Sequence, residues 1–167
     1  MAGKAYVTRM PVGIAGNVSR LNEYTGESVL LDNSKPFAAY GIAGKYSAGK
    51  FVPLVAGDVI GDVTGFLVRP FPTQSITDLN TMLGSGINVL GDAMKRGYMT
   101  VNIGSTGTTA VKNGPVYIRV AAPTATSPLG SVCIVADATA SNTPQLTNAY
   151  LMGAGDADGN VEIAYNI

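Results

Sequence analysis

The stretch that most resembles a chemical motif is Gly44-Lys45-Tyr46-Ser47-Ala48-Gly49-Lys50-Phe51, which follows the phosphate-binding pattern GxxxxGK up to its last position. In such a loop, backbone N–H groups close on the phosphates, and a Ser or Thr after the lysine holds magnesium as a helix begins. Phe51 stands where that hydroxyl is needed, and Phe51-Val52-Pro53-Leu54 reads as a strand. A hairpin turn carrying exposed lysines is expected instead. Asp156-Ala157-Asp158-Gly159-Asn160 alternates oxygen-bearing side chains like the start of a calcium loop. An EF-hand needs glycine at its sixth position and a bidentate Glu at its twelfth, whereas Gly159 is fourth and Glu162 seventh. A turn is the simpler reading.

The remaining chemistry is limited by what is missing. The chain has no His and no Trp, and a single cysteine, Cys133. Without imidazole there is no Ser-His or Cys-His pair and no His-ligated metal site. One cysteine allows no intrachain disulfide, and Cys133, within the apolar run 131–135, reads as a small buried hydrophobe. Two carboxylates could still hydrolyse a glycoside. Asp32, Asp58, Asp62, Asp78, Asp92 and Asp137, however, lie beside Gly, Asn, Thr or Ala in apparent turns. No catalytic residue, cofactor-binding residue or metal ligand is assigned, and the chain is not expected to be an enzyme.

Composition narrows the partners. Charged residues make up 13% of the chain, against about 25% in an average soluble protein. Lys plus Arg equals Asp plus Glu at 11 each, so no basic excess favours nucleic acid, and Arg69, Lys95 and Arg96 form no stripe. No apolar run is long enough to span a bilayer, so no membrane partner is expected. The first residues, with Lys4 and Arg9, lead into no apolar core of a signal peptide, so export by the general secretory route is not expected. A weakly charged surface of this kind suits burial against protein, including further copies of the chain.

The elements that must build this surface are strands. There are 21 Gly and nine Pro scattered without a period, which leaves little room for long helices. Between them recur short runs rich in Val, Ile, Tyr, Phe and Thr, at 5–8, 18–21, 28–31, 38–43, 51–55, 63–68, 98–103, 116–120, 131–135 and 161–165, with a further short segment at 150–152. Alternation is clearest in Tyr98-Met99-Thr100-Val101-Asn102-Ile103 and in Val116-Tyr117-Ile118-Arg119-Val120. Asn113-Gly114 marks a turn between them. Ile76, Leu79, Met82 and Leu83 fall at helical spacing after the cap candidate Ser75, predicting one short helix that Gly84 and Gly86 stop. The expectation is a mainly β chain: a single-domain antiparallel β-barrel or jelly-roll-like sandwich spanning 1–167, with long loops and at most one short helix. Residues 1–20 would serve as an N-terminal arm and 70–95 as a long excursion. Both are candidates for contact with a partner.

Five ordered segments resemble the capsid cement (decoration) proteins of tailed bacteriophages: 10–20 (MPVGIAGNVSR), 65–72 (GFLVRPFP), 95–101 (KRGYMTV), 116–122 (VYIRVAA) and 159–167 (GNVEIAYNI). The resemblance implies a β-barrel or jelly-roll-like subunit of the virion, made in the host bacterial cytoplasm and bound to the outer capsid surface between capsomers. Its implied partners are the major capsid protein and the chain itself. For self-association the homodimer is placed ahead of the homotrimer, because twofold symmetry is the commonest closed arrangement. A phage tail or fibre component and a carbohydrate-binding or carbohydrate-acting β-domain are the competing readings; the lack of Trp weakens the second.

Overall fold

The computed structural model describes residues 12–70, 76–84 and 87–167. Among these the chain is mainly β. Nine strands form one curled sheet: β1 (Thr25–Leu30), β2 (Ala43–Ser47), β3 (Lys50–Pro53), β4 (Gly65–Leu67), β5 (Leu90–Asn102), β6 (Pro115–Ile118), β7 (Val132–Cys133), β8 (Gln145–Leu151) and β9 (Asn160–Tyr165). Their order is β3-β2-β4-β5-β9-β8-β6-β7, with β1 also on β5, and every ladder between them is antiparallel. The helix predicted by the 76–83 spacing is present as α1 (Ile76–Thr81).

The sheet is organised around β5, which is long enough to serve two sets of partners. Its first half pairs with β1 and β4, and its second half, from Gly97 to Asn102, pairs with β9. The first set curls on itself through β4, β2 and β3 until a parallel bridge joins Phe51 to Leu31, just beyond β1. This small barrel encloses Val29, Leu31, Phe37, Phe51, Leu67 and Ala93. One mouth is covered by α1 and the turn after it. There Leu79 and Leu83 pack on the core, the Tyr40 hydroxyl donates to Leu79 O at 2.5 Å, and Phe37 N–H donates to Leu83 O. The opposite mouth holds Tyr46, Glu27 and Lys95: Tyr46 Oη donates to Glu27 at 2.7 Å, and Lys95 Nζ lies 4.4 Å from the Tyr46 ring centre.

A second, larger core lies between the back of β4–β5 and the strands β6 to β9. Because side chains alternate along a strand, Phe66 and Met94 face this larger core while Leu67 and Ala93 face the smaller one. β4 is therefore a wall buried on both sides, which explains why Gly65-Phe66-Leu67-Val68 reads as an uninterrupted apolar run.

Several boundaries differ from the sequence reading. The run 18–21 is not a strand: Val18 makes one bridge to Met99, and Leu21–Glu23 is a 3-10 turn. Only Ala43 of 38–43 is in a strand; Gly41 turns there at φ 75° and donates its N–H to Leu67 O. Residues 90–95, within the stretch read as an excursion, begin β5, the longest strand. β8 begins at Gln145, ahead of the segment read at 150–152; its alternation is broken by the exposed pair Thr147 and Asn148, where its register with β6 slips. The strand candidate at 5–8 lies outside the described residues.

Candidate interaction surface

Each motif weighed in the sequence has a structural occupation. The GxxxxGK look-alike is the β2–β3 hairpin, with Ser47 opposite Lys50 and both loop residues, Ala48 and Gly49, at positive φ, as a two-residue primed turn requires. Lys45 is ion-paired with Asp58, and Lys50 with Asp32 at 3.2 Å. Neither lysine faces a phosphate cradle. The Asp156 carboxylate accepts the N–H groups of Asp158 and Asn160, at 3.0 and 2.9 Å, and the Asn160 side-chain amide at 3.3 Å. Its oxygens are thus used within the turn.

The other acids behave alike. Asp58 and Asp62 accept the N–H groups of Val55 and Val59, and Asp32 those of the Ser34 backbone and hydroxyl. Asp137 accepts from Thr139 N–H and from Arg119 Nη1 at 3.0 Å. They do not converge, and no group of three or more His, Cys, Asp or Glu able to hold a metal occurs among the described residues. For Asp78 only the backbone is described. Cys133 is half-buried on β7, with Sγ 3.6 Å from Ser127 Oγ, so it is more exposed than the apolar run around it suggested.

These turn carboxylates make stability depend on acid. Hydrogen bonds from Thr139 N–H and Arg119 hold Asp137 below the usual carboxylate range, and the Ser34 N–H and hydroxyl do the same for Asp32. Burial raises Asp156, but the Asn160 and Asp158 donors outweigh it and the net direction is down. A carboxylate with a lowered folded pKa stabilises the fold above its unfolded value, about 4, and loses that contribution as pH falls through the folded value. The thermal midpoint is expected to be flat from about pH 7 to 5 and to fall below about pH 4, with a shallower fall in Asp156→Asn. Calorimetry over this range checks it; an acid limb identical in the variant would count against the role of Asp156.

The described part of the N-terminal arm is seated on its own sheet. Gly16 N–H and Ser19 N–H donate to Thr100 O and Tyr98 O, and Thr100 N–H donates to Asn17 O. Arg20 grips Glu162 with two nitrogens at 3.1 and 2.9 Å and lies 4.0 Å over the Tyr98 ring. Arg69 stacks over Tyr40, and Arg96 is exposed. These cations are dispersed and form no continuous basic track.

What the surface offers is exposed aliphatic area at separated places. On the outer face of β1–β5–β4, Leu30 stands opposite Leu90, and Leu90 is 74% exposed. Beside them, Val68, Pro70, Met82 and Leu90, with Ser28 and Asp92, line an open groove of about 220 Å³. Val135, 70% exposed, shares a second groove with Asn102 at the far end of β5. Leu90 and Asn102 are the first and last residues of that strand, a separation of about 40 Å if fully extended. The sequence reading missed Leu30 and Leu90 as neighbours, because their pairing joins segments with no local pattern in common. The only local signal was an aliphatic residue placed beside Gly91 and Asp92.

Comparison with known proteins bears on what such a surface meets. Residues 3–165 match the model of the XM1 gp53 minor capsid protein family. Among solved structures, a chain from the capsid of Myoviridae phage XM1 superposes with a TM-score of 0.69 at 16% identity, covering 99% of this chain and 98% of that one. At that identity the likeness is one of fold. No curated protein matches the chain.

Proposed function

Because the chain belongs to the XM1 gp53 minor capsid protein family and is a structural component of a phage virion, we propose that it binds the outer capsid surface between capsomers and stabilises the shell. Its partners in this reading are the major capsid protein and other copies of itself, and its role is adhesive and not enzymatic. The observation that carries the reading is the placement of exposed aliphatic residues at both ends of β5, around Leu90 and around Val135. A subunit with adhesive area at two separated ends can touch two neighbours at once. When geometry lets both ends engage, the second contact becomes intramolecular, and avidity exceeds either single affinity by about 100-fold or more. Weak individual contacts are then sufficient.

The test is to mix the purified protein with expanded, undecorated capsids of its phage, pellet the particles and image them by cryo-electron microscopy. Saturable binding with regular added density between capsomers is expected. Binding confined to tails, or no binding to capsids at any concentration, overturns the proposal.

A further inference from the structure

The groove beside Leu90 has a chemical character that restricts its occupant. Its walls are aliphatic, from Val68, Met82 and Leu90, yet it contains one carboxylate, Asp92. Among the described residues Asp92 makes no ion pair; its side chain accepts the Ser28 hydroxyl at 3.1 Å. An occupant that covers the groove removes Asp92 from water and must compensate with a cation next to its own apolar group.

The chain itself carries such a pair. Val111 is 64% exposed and is followed by Lys112, also exposed, at a loop tip where Asn113 turns at φ 62°. Lys112 makes no ion pair among the described residues. Among the described residues the other exposed aliphatic side chains lack this combination. Arg20 beside Leu21 is held by Glu162, Val59 is next to Asp58, and Val135 lies two residues from Asp137.

We infer that the Val111–Lys112 tip of one copy docks in the Leu90–Asp92 groove of the next, with Val111 against Leu90 and Met82 and Lys112 against Asp92. The inference rests on the self-association included in the proposed function and deepens it. Tip and groove lie far apart on one subunit: Asn113 N–H donates to Leu151 O, Leu151 pairs with Ile163, and Ile163 pairs with Met99. The tip is therefore level with Met99, about 30 Å along β5 from Leu90. Two different, separated patches can meet reciprocally about a twofold axis, each copy's tip in the other's groove, or head to tail around a closed ring.

Sedimentation equilibrium on the full-length protein tests the contact, using Asp92→Lys, Lys112→Asp and the double charge swap D92K/K112D. Both side chains are exposed, so an unchanged thermal midpoint confirms that each variant folds. The wild type is expected to self-associate. Each single variant should weaken the association by about 100-fold, because it sets like charges opposite each other. The double swap should restore the association. Association unaltered in both single variants, or a wild type that stays monomeric at the highest soluble concentration while still coating capsids, overturns this contact and leaves the capsid proposal standing. Charge-dependent oligomers that fail to bind capsids uphold the contact and overturn the capsid proposal.

Discussion

Phe66→Ala is expected to destabilise the protein by about 4 kcal/mol, the scale of removing a fully buried aromatic ring. β4 is three residues long, and all three are buried. Phe66 is 0% exposed, lies opposite Ala43 on β2 and Met94 on β5, and meets the Tyr165 ring edge-on at a centroid distance of 5.1 Å. Truncation thus opens a cavity where β4, β5 and β9 converge, and surrounding side chains cannot collapse into it without moving the wall that supports the small barrel. An exposed control, Val59→Ala, should change stability by no more than about 0.5 kcal/mol. Urea unfolding of both variants measures the difference. A loss below about 1 kcal/mol for Phe66→Ala would mean that the wall between the two cores is not packed as described.

Gly130→Ala is expected to be nearly as damaging, by a different mechanism. Gly130 turns at φ 82°, and a Cβ placed on it would come 2.4 Å from Ala43 O and 2.6 Å from the Ile42 side chain. At this point the segment leading into β7 touches the start of β2, and Ala43 N–H donates to Gly130 O at 2.9 Å. Gly49 separates the two components of the effect. It turns at φ 76° in the β2–β3 hairpin, but an added Cβ there meets nothing within 4 Å. Gly49→Ala therefore incurs left-handed backbone strain alone, about 1 kcal/mol. Gly130→Ala adds displacement of a backbone carbonyl and should lose about 3 kcal/mol or more. Hydrogen exchange at the Ala43 amide reports the contact directly. Accelerated exchange in Gly130→Ala, with little change in Gly49→Ala, is the expected pattern; equal losses of stability would assign the effect to strain and not to the clash.

Both substitutions act on contacts between segments remote in sequence, and this is where reading from sequence ran short. The 98–103 and 116–120 runs were legible as strands because apolar and polar residue types alternate along them, even though the arm covers Thr100 on the second face of β5. The β2–β3 hairpin was legible because the tempting motif lacked its hydroxyl and its helix. β4 was legible as apolar, but not as a wall between two cores, since a strand buried on both sides loses the alternation that would show its faces. The first half of β5 was hidden by Gly91 and Asp92, residues that read locally as a turn. Val18 and its neighbours were read as a strand from their types, but they make one bridge to β5 and are secured by the Arg20–Glu162 pair.

The amino-acid sequence by itself determined the class of this protein: many short strands, one short helix, no imidazole, little charge, and a set of ordered segments resembling phage capsid proteins. Those properties are local or compositional, and each residue carries them wherever the chain places it. Only the tertiary structure decided that Leu30 meets Leu90 beside Asp92, that Phe66 and Leu67 serve two cores, and that the arm from residue 12 to 20 is bound to its own sheet. Register and long-range pairing are set jointly by hydrophobic faces that must be buried against one another, and a single segment does not contain the partner that completes its face.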